Sequence, residues 1–204
     1  MKQPVRVSFH NLGWRSWIEC SLCALCPKSD GKGCCSYSPL FMPVDLGYFQ
    51  LHNPELIKEI FRLQPLTVLD SCVIVDSCRD ADGSLRCQFH SRQSGCTLIP
   101  ELREFICRKY VCSGMRLWEQ AGVERWKEFF EELENREALL NKAIETELRA
   151  GGAWLNKDRE RFFGVLGLAY AKHFQPAGEW ARDLPEVESF LFEVDVTDWN
   201  EWKK

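Results

Sequence analysis

The sequence predicts an α+β fold, mostly α, in which a small cysteine-rich region with a short β-hairpin precedes a helical hairpin. All eleven cysteines of the 204-residue chain lie between Cys20 and Cys112, so its two halves differ in chemistry. Apolar residues recur at helical spacing from Met115 onward. Two short apolar runs in the first half flank a glycine-containing turn, which is typical of a hairpin. We therefore expect a cysteine-rich region over 1–114 and a helical hairpin with a C-terminal tail over 115–204, packed as one compact unit.

The composition sets limits on the size of the fold and on its partners. A chain of 204 residues with 45% hydrophobic and 12% aromatic residues is long enough to build one domain around its own core. A mild net charge of −4 gives the chain no general excess of basic residues to bind phosphate, so we expect no nucleic-acid partner. Its eleven cysteines are unusually many for an intracellular protein.

The N-terminal residues show no secretory-signal pattern, and no stretch of eighteen apolar residues occurs in the chain. We therefore expect a cytoplasmic protein without a membrane span. In a reducing compartment disulfides are rare, and clustered cysteines are more often metal ligands or catalytic groups.

Local signals place the elements of the first half. Asn53-Pro54 combines a capping residue with a first-turn proline and predicts a helix over 55–63. The apolar runs 72–78 and 85–89 predict two paired strands, and this hairpin would deliver Cys87 at its end.

The second half is predicted to be helical from Met115. Gly151-Gly152 is expected to end a first long helix, and Asn156 to cap a second one that runs through Phe174. Alternating apolar residues over 190–196 predict an edge strand or a docking tail. The apolar stripe of the first helix comprises Trp118, Gly122, Trp126, Phe129, Leu133, Leu140, Ile144 and Leu148.

The first cysteine cluster carries the strongest chemical signal. Cys20, Cys23 and Cys26 form C-x2-C-x2-C, and the doublet Cys34-Cys35 follows. A two-residue spacer lets a tight turn direct two thiolates at one ion or cluster, which is why C-x2-C recurs in zinc and iron–sulfur sites. The spacing therefore predicts bound metal.

Four wider-spaced thiols follow at Cys87, Cys96, Cys107 and Cys112. Together with the first cluster they predict either two sites or one site assembled from both stretches. The cationic residues on either side of Cys107 are interpreted as cofactor-binding groups that compensate the charge of the thiolates, rather than as simple salt-bridge residues. These are Arg103 and Arg108.

Two further cysteines and one histidine are given structural roles. Cys72 and Cys78 flank a Val-Ile-Val run, where a small buried thiol is an ordinary core residue. His90 stands three residues after Cys87, and a hydrogen-bonding or surface role is preferred for it over metal ligation.

These cysteine blocks resemble the CxxCxxCC-type zinc- or iron-chelating proteins, also called the YkgJ-like family. The resemblance covers residues 20–112, and departs from the family at Glu104, where a proline is usual, and by an insertion after Cys26 or an extra cysteine at Cys20. It implies bound metal. It extends to the cysteine segment of flagellin lysine N-methylases, which look like carriers of an iron–sulfur cluster. It rests on Cys23-x2-Cys26, Cys34-Cys35, Asp45, Cys87-Gln-Phe, Gly95-Cys96 and Arg103-Glu-Phe-Ile-Cys107-Arg108-Lys-Tyr110.

We expect an iron–sulfur cluster, most simply 4Fe-4S, in preference to zinc, with a redox, sensing or structural role. One alternative is a cluster-dependent group transferase, such as a protein lysine N-methylase-like enzyme acting on a protein substrate. Another is a zinc-stabilised adaptor whose helical half binds a protein partner. None of the common catalytic motifs is present, so the catalytic residues stay open. The oligomeric state also stays open. The expected ligands are Cys20, Cys23, Cys26, Cys34, Cys35, Cys87, Cys96, Cys107 and Cys112.

Overall fold

The computed structural model describes residues 2–24, 35, 37–79, 81, 83, 85–91, 93 and 95–195, with the backbone alone for Cys23, Ala24 and Ser113. These residues form a mixed α and β fold, as the sequence predicts. Its helices are α1 Pro43–His52, α2 Pro54–Ile60, α3 Phe105–Lys109, α4 Glu124–Ala150, α5 Arg159–His173 and α6 Glu179–Arg182. Its strands are β1 Lys2–His10, β2 Trp17–Cys20, β3 Leu40–Phe41, β4 Leu66–Val68, β5 Val73–Val75, β6 Cys78–Arg79, β7 Leu85–Arg86, β8 His90–Ser91, β9 Gly95–Cys96 and β10 Val187–Asp195.

The two ends of the described chain meet in one antiparallel sheet of order β10-β1-β2. Strand β1 pairs with β10 along its whole length, from Lys2 opposite Asp195 to His10 opposite Val187. The predicted C-terminal strand is therefore present and lies at the edge of the sheet, although Val196 of that prediction lies outside the described residues. The N-terminal strand β1 was not predicted.

The prediction that residues 72–78 pair with 85–89 is wrong for most of the first strand. Strand β5 instead lies between β3 and β4, and only β6 pairs with β7, Cys78 standing opposite Arg86. The side chains of Val73 and Val75 are fully buried, and the amide of Val75 donates to the carbonyl of Pro39 at 3.0 Å. Strand β5 is therefore a buried strand of the β3-β5-β4 sheet and not part of the hairpin.

The long helix α4 begins at Glu124 and not at Met115, so Trp118 and Gly122 lie outside it. Arg116 and Gly122 both have positive φ, +44° and +91°, in the left-handed region that interrupts a right-handed helix. Short 3₁₀ helices at Ser113–Met115 and Leu117–Glu119 take the place of the predicted first turns.

Two predicted helix caps have different outcomes. The side chain of Asn53 accepts a hydrogen bond from the amide of Leu56 at 3.2 Å, which confirms the predicted cap of α2. Helix α5 is capped by Asp158, whose carboxylate accepts from the amide of Arg161 at 2.9 Å. Asn156 is not the cap, because its amide group donates instead to Asp70 at 2.9 Å.

Helix α4 spans two hydrophobic cores. Its first half contributes to a core built on β1 and β2, and its second half to a core shared with α1, α2, β5 and α5. Glu137 is buried on the same stripe, between Leu133 of the first group and Leu140 of the second. The two groups are Trp126, Phe129, Phe130 and Leu133, followed by Leu140, Ile144 and Leu148.

Two glycines give a matched test of the packing between α1 and α5. A Cβ at Gly47 in α1 would overlap the ring of Tyr170, so we expect Gly47→Ala to lower the free energy of unfolding by about 1–3 kcal/mol. A Cβ at the exposed Gly164 in α5 meets nothing within 4 Å, so Gly164→Ala is expected to raise stability by about 0.5–1 kcal/mol. Urea denaturation measures both, and an equal effect of the two changes would contradict this packing.

Within the described part of the chain, no helix is both long enough and apolar enough to cross a membrane.

Candidate metal centre

The two cysteine stretches meet at a backbone hydrogen bond. The amide of Cys87 donates to the carbonyl of Cys35 at 2.7 Å, although the two residues are far apart in sequence. The second residue of the Cys34-Cys35 doublet therefore lies directly beside the end of the β6–β7 pair.

Cys87 and Cys96 are brought together by the short sheet of β8 and β9. The amide of His90 donates to the carbonyl of Cys87 at 2.9 Å, and His90 stands opposite Cys96 in the antiparallel register. Gly95, next to Cys96, has a φ of +78°, which favours glycine at that position. This turn places Cys96 across from a residue that is hydrogen-bonded to Cys87.

Cys107 lies in the first turn of α3, and Glu104 caps this helix. The Glu104 carboxylate accepts from the amides of Ile106 at 2.7 Å and Cys107 at 2.9 Å. Burial raises the pKa of Glu104, and a hydrogen bond with the Cys107 side chain acts in the opposite direction. A proline has no carboxylate to accept these amides, so Glu104 provides a cap that the residue usual in the resembled family would not provide.

Two contacts join the Cys107 segment to the other cysteines. The rings of Tyr37 and Tyr110 meet edge to face with centroids 6.2 Å apart. Tyr37 follows Cys35 by two residues and Tyr110 follows Cys107 by three. Nε of Arg103 donates to the carbonyl of Leu98 at 3.0 Å, which ties the segment after Cys96 to the start of α3. Segments carrying Cys35, Cys87, Cys96 and Cys107 are thus neighbours.

Cys112 lies beyond α3 and lines a cavity of about 270 Å³ together with Tyr110, Arg116 and Trp118. The structure therefore places this predicted ligand at a surface depression near the end of the Cys107 segment.

Cys20 lies in a different environment. It is 6% exposed and packs in the core built on β1 and β2, and burial raises the pKa of its thiol. Cys72 is 9% exposed, and burial likewise raises the pKa of its thiol, in keeping with its predicted structural role. A raised pKa reduces the thiolate fraction, and the thiolate is the form that binds metal.

We expect the Cys20 thiol to react with iodoacetamide more than about tenfold more slowly in the folded protein than in urea, because the thiolate is the reactive form. Residue-resolved mass spectrometry measures the rate. Protection of Cys20 that disappears when a chelator is added, while the circular dichroism is unchanged, would instead identify Cys20 as a ligand.

Three predicted ligands are not described in full. Cys26 and Cys34, and the side chain of Cys23, lie outside the described residues. Among the residues that the structure does describe, no three or more His, Cys, Asp or Glu side chains form a group that could hold a metal ion.

Arg108, predicted to compensate thiolate charge, is fully buried in a polar network beneath α3. Its guanidinium pairs with Glu137 and donates to the carbonyls of Trp14 and Ser16 at 3.0 Å each and of Arg103 at 3.1 Å. Burial lowers the pKa of Arg108 and raises that of Glu137. These contacts direct Arg108 towards the interior, so they give it a structural role and do not support the predicted contact with thiolates.

A second buried ion pair continues the network. Arg15 donates to the Asp45 carboxylate at 2.8 Å and to the carbonyl of Arg103 at 2.7 Å, so both guanidiniums meet at that carbonyl. Neither Arg15 nor Glu137 was predicted from the sequence. The signal for Glu137 was its position, since a carboxylate on an apolar stripe of a helix requires a buried partner.

Comparisons of the chain with known protein families, with curated proteins and with solved structures found no match. The family resemblance therefore stays a prediction.

Proposed function

We propose that this protein is a metal-binding protein whose centre is ligated by cysteine, with an iron–sulfur cluster, most simply 4Fe-4S, as the first candidate and zinc as the second. The observation that carries this proposal is the hydrogen bond from Cys87 to Cys35, because it joins the two cysteine stretches that the spacing marks as ligands. The centre has a redox, sensing or structural role. A cytoplasmic location, where thiols stay reduced, accords with it.

The proposed ligands are divided between described and undescribed positions. Cys35, Cys87, Cys96 and Cys107 come from neighbouring described segments, and Cys112 is a further candidate. Cys20 is left out of the proposed set, because its buried and apolar surroundings suit a core thiol. The remaining ligands come from the C-x2-C pair and from the first residue of the doublet, which are Cys23, Cys26 and Cys34.

Described residues fix the backbone at two of the proposed ligands. Glu104 caps α3 and fixes the backbone of Cys107, and the β8–β9 turn fixes the backbone of Cys96 relative to Cys87. An iron–sulfur cluster bound there would supply one-electron chemistry, whereas zinc would supply a cross-link between the segments.

Titration with Co²⁺ tests the ligand chemistry. Metal-free protein, reduced and kept without oxygen, is expected to develop a thiolate-to-cobalt charge-transfer band and the visible bands of tetrahedral cobalt, because Co²⁺ accepts the same thiolate sites as zinc. Saturation at a whole number of equivalents would support the proposal. Folded protein with reduced thiols and no charge-transfer band would contradict it.

A further inference from the structure

Two ion pairs made by successive residues connect helix α3 to α4. Arg108 pairs with Glu137, and the next residue, Lys109, pairs with Glu134 one turn earlier on α4. Residues three apart lie on the same face of a helix, so the two carboxylates face α3 side by side. Cys107 directly precedes Arg108, so these ion pairs hold the backbone next to a proposed ligand.

The two pairs differ in their access to water. The side chains of Arg108 and Glu137 are 0% and 7% exposed, whereas those of Lys109 and Glu134 are 29% and 53% exposed. A buried charge that loses its partner stays unpaired in a poorly solvated place, whereas an exposed charge is rehydrated. The buried pair therefore restrains α3 much more strongly than the exposed pair.

Arg108 extends this restraint beyond α4. Its carbonyl partners include Trp14 and Ser16, which lie just before β2, so one side chain connects α3 to α4 and to the start of a strand of the N-terminal sheet. Glu137 is the carboxylate that keeps this guanidinium in place. Glu137 is therefore linked through Arg108 to α3, the helix that carries Cys107.

We propose that Glu137, which lies in the helical half, is a positioning residue for the cysteine centre, because its ion pair with Arg108 fixes the place of Cys107. This inference rests on the proposed function. It assigns to the helical half a part in metal binding that the cysteine pattern does not reveal. Glu134, on the same helix and opposite the same short helix, is the natural control.

The test compares Glu137→Gln with Glu134→Gln in the full chain by Co²⁺ titration. We expect Glu137→Gln to weaken cobalt binding by about tenfold, the lower end of the effect of direct outer partners of metal ligands, because Glu137 acts on Cys107 only through Arg108. The charge-transfer and visible bands are expected to shift. Glu134→Gln is expected to keep the affinity within about twofold and to leave the spectrum unchanged, since exposed pairs contribute little. Wild-type affinity and spectrum in folded Glu137→Gln would overturn the proposal.

A second variant separates positioning from stability. Arg108→Met combined with Glu137→Leu leaves no lone buried charge, so it should recover part of the stability that Glu137→Gln loses. We expect its cobalt affinity to stay weakened. Recovery of wild-type affinity together with stability would overturn the positioning role.

A measurement on metal-free protein separates the role of Glu137 in holding α3 from the existence of the metal centre. In metal-free protein, hydrogen exchange of the α3 amides is expected to be at least about tenfold faster in Glu137→Gln than in Glu134→Gln, as local opening becomes easier. Equal exchange in both variants would show that Glu137 does not fix α3, whatever the metal. No charge-transfer band in the wild-type protein would overturn the metal centre itself, and the positioning role with it.

Discussion

Replacing Arg108 with alanine is expected to lower the free energy of unfolding by about 3–5 kcal/mol, the largest effect of any single change considered for this protein. The guanidinium is fully buried and pairs with Glu137, so its removal leaves that carboxylate unpaired in the interior. It also removes the donor to the carbonyls of Trp14 and Ser16. Urea denaturation followed by circular dichroism measures the loss.

Lys109→Ala is the matched control for this change. Lys109 is the next residue on α3 and also pairs with a carboxylate of α4, but that pair is exposed to water. We expect a loss of about 0.2–1 kcal/mol. Similar losses in both variants would show that the Arg108 pair has no special place in the fold.

Cys87→Ser is expected to weaken metal binding by about 100-fold or more, because changing even the outer partners of metal ligands costs about 10- to 100-fold in affinity. Cys87 is the residue through which the downstream stretch contacts Cys35. Metal analysis of protein purified without oxygen, together with a cobalt titration of the reduced protein, measures the change.

Cys72→Ala supplies the comparison for the cysteine variants. Cys72 is buried outside the proposed ligand set, so its replacement should cost about 1 kcal/mol of stability and leave the metal content unchanged. Loss of metal in Cys72→Ala with retention in Cys87→Ser would contradict the proposed ligand assignment.

The parts of the fold visible in the sequence are those that local signals specify. Asn53-Pro54 marks the start of α2, and the alternation after Phe190 marks β10. Helix α1 was missed because it is buried on almost every side, so it shows no apolar stripe. The start of α4 was misplaced because a stripe can continue in sequence across Arg116 and Gly122, whose backbone conformations break the helix.

In the candidate site, too, local patterns could be predicted from the sequence and long-range contacts could not. The cysteine spacing is a local pattern, and it is visible without a structure. The contact of Cys35 with Cys87 and the pairing of Arg108 with Glu137 depend on how distant segments fold together. Arg108 was noticed for its position next to Cys107, but only the three-dimensional arrangement shows that its guanidinium points to a carboxylate of α4.

The buried network of ion pairs and hydrogen bonds connects the two halves of the chain. Arg15 and Asp45 belong to the cysteine-rich half, and Glu137 belongs to the helical half. Arg108 pairs with Glu137 and shares the carbonyl of Arg103 with Arg15. Loss of metal or loss of the network is therefore expected to affect the same short helix, α3. The helical half is part of the proposed centre's support.

The cysteine-ligated metal centre is tested most directly by the metal content and visible spectrum of protein purified without oxygen. Iron, zinc and acid-labile sulfide are assayed on the same sample. We expect brown protein with iron and sulfide in equal amounts or, for zinc as the second candidate, colourless protein with stoichiometric zinc. Folded and stable protein that holds neither metal, and takes up neither when both are supplied under reducing conditions, would contradict it.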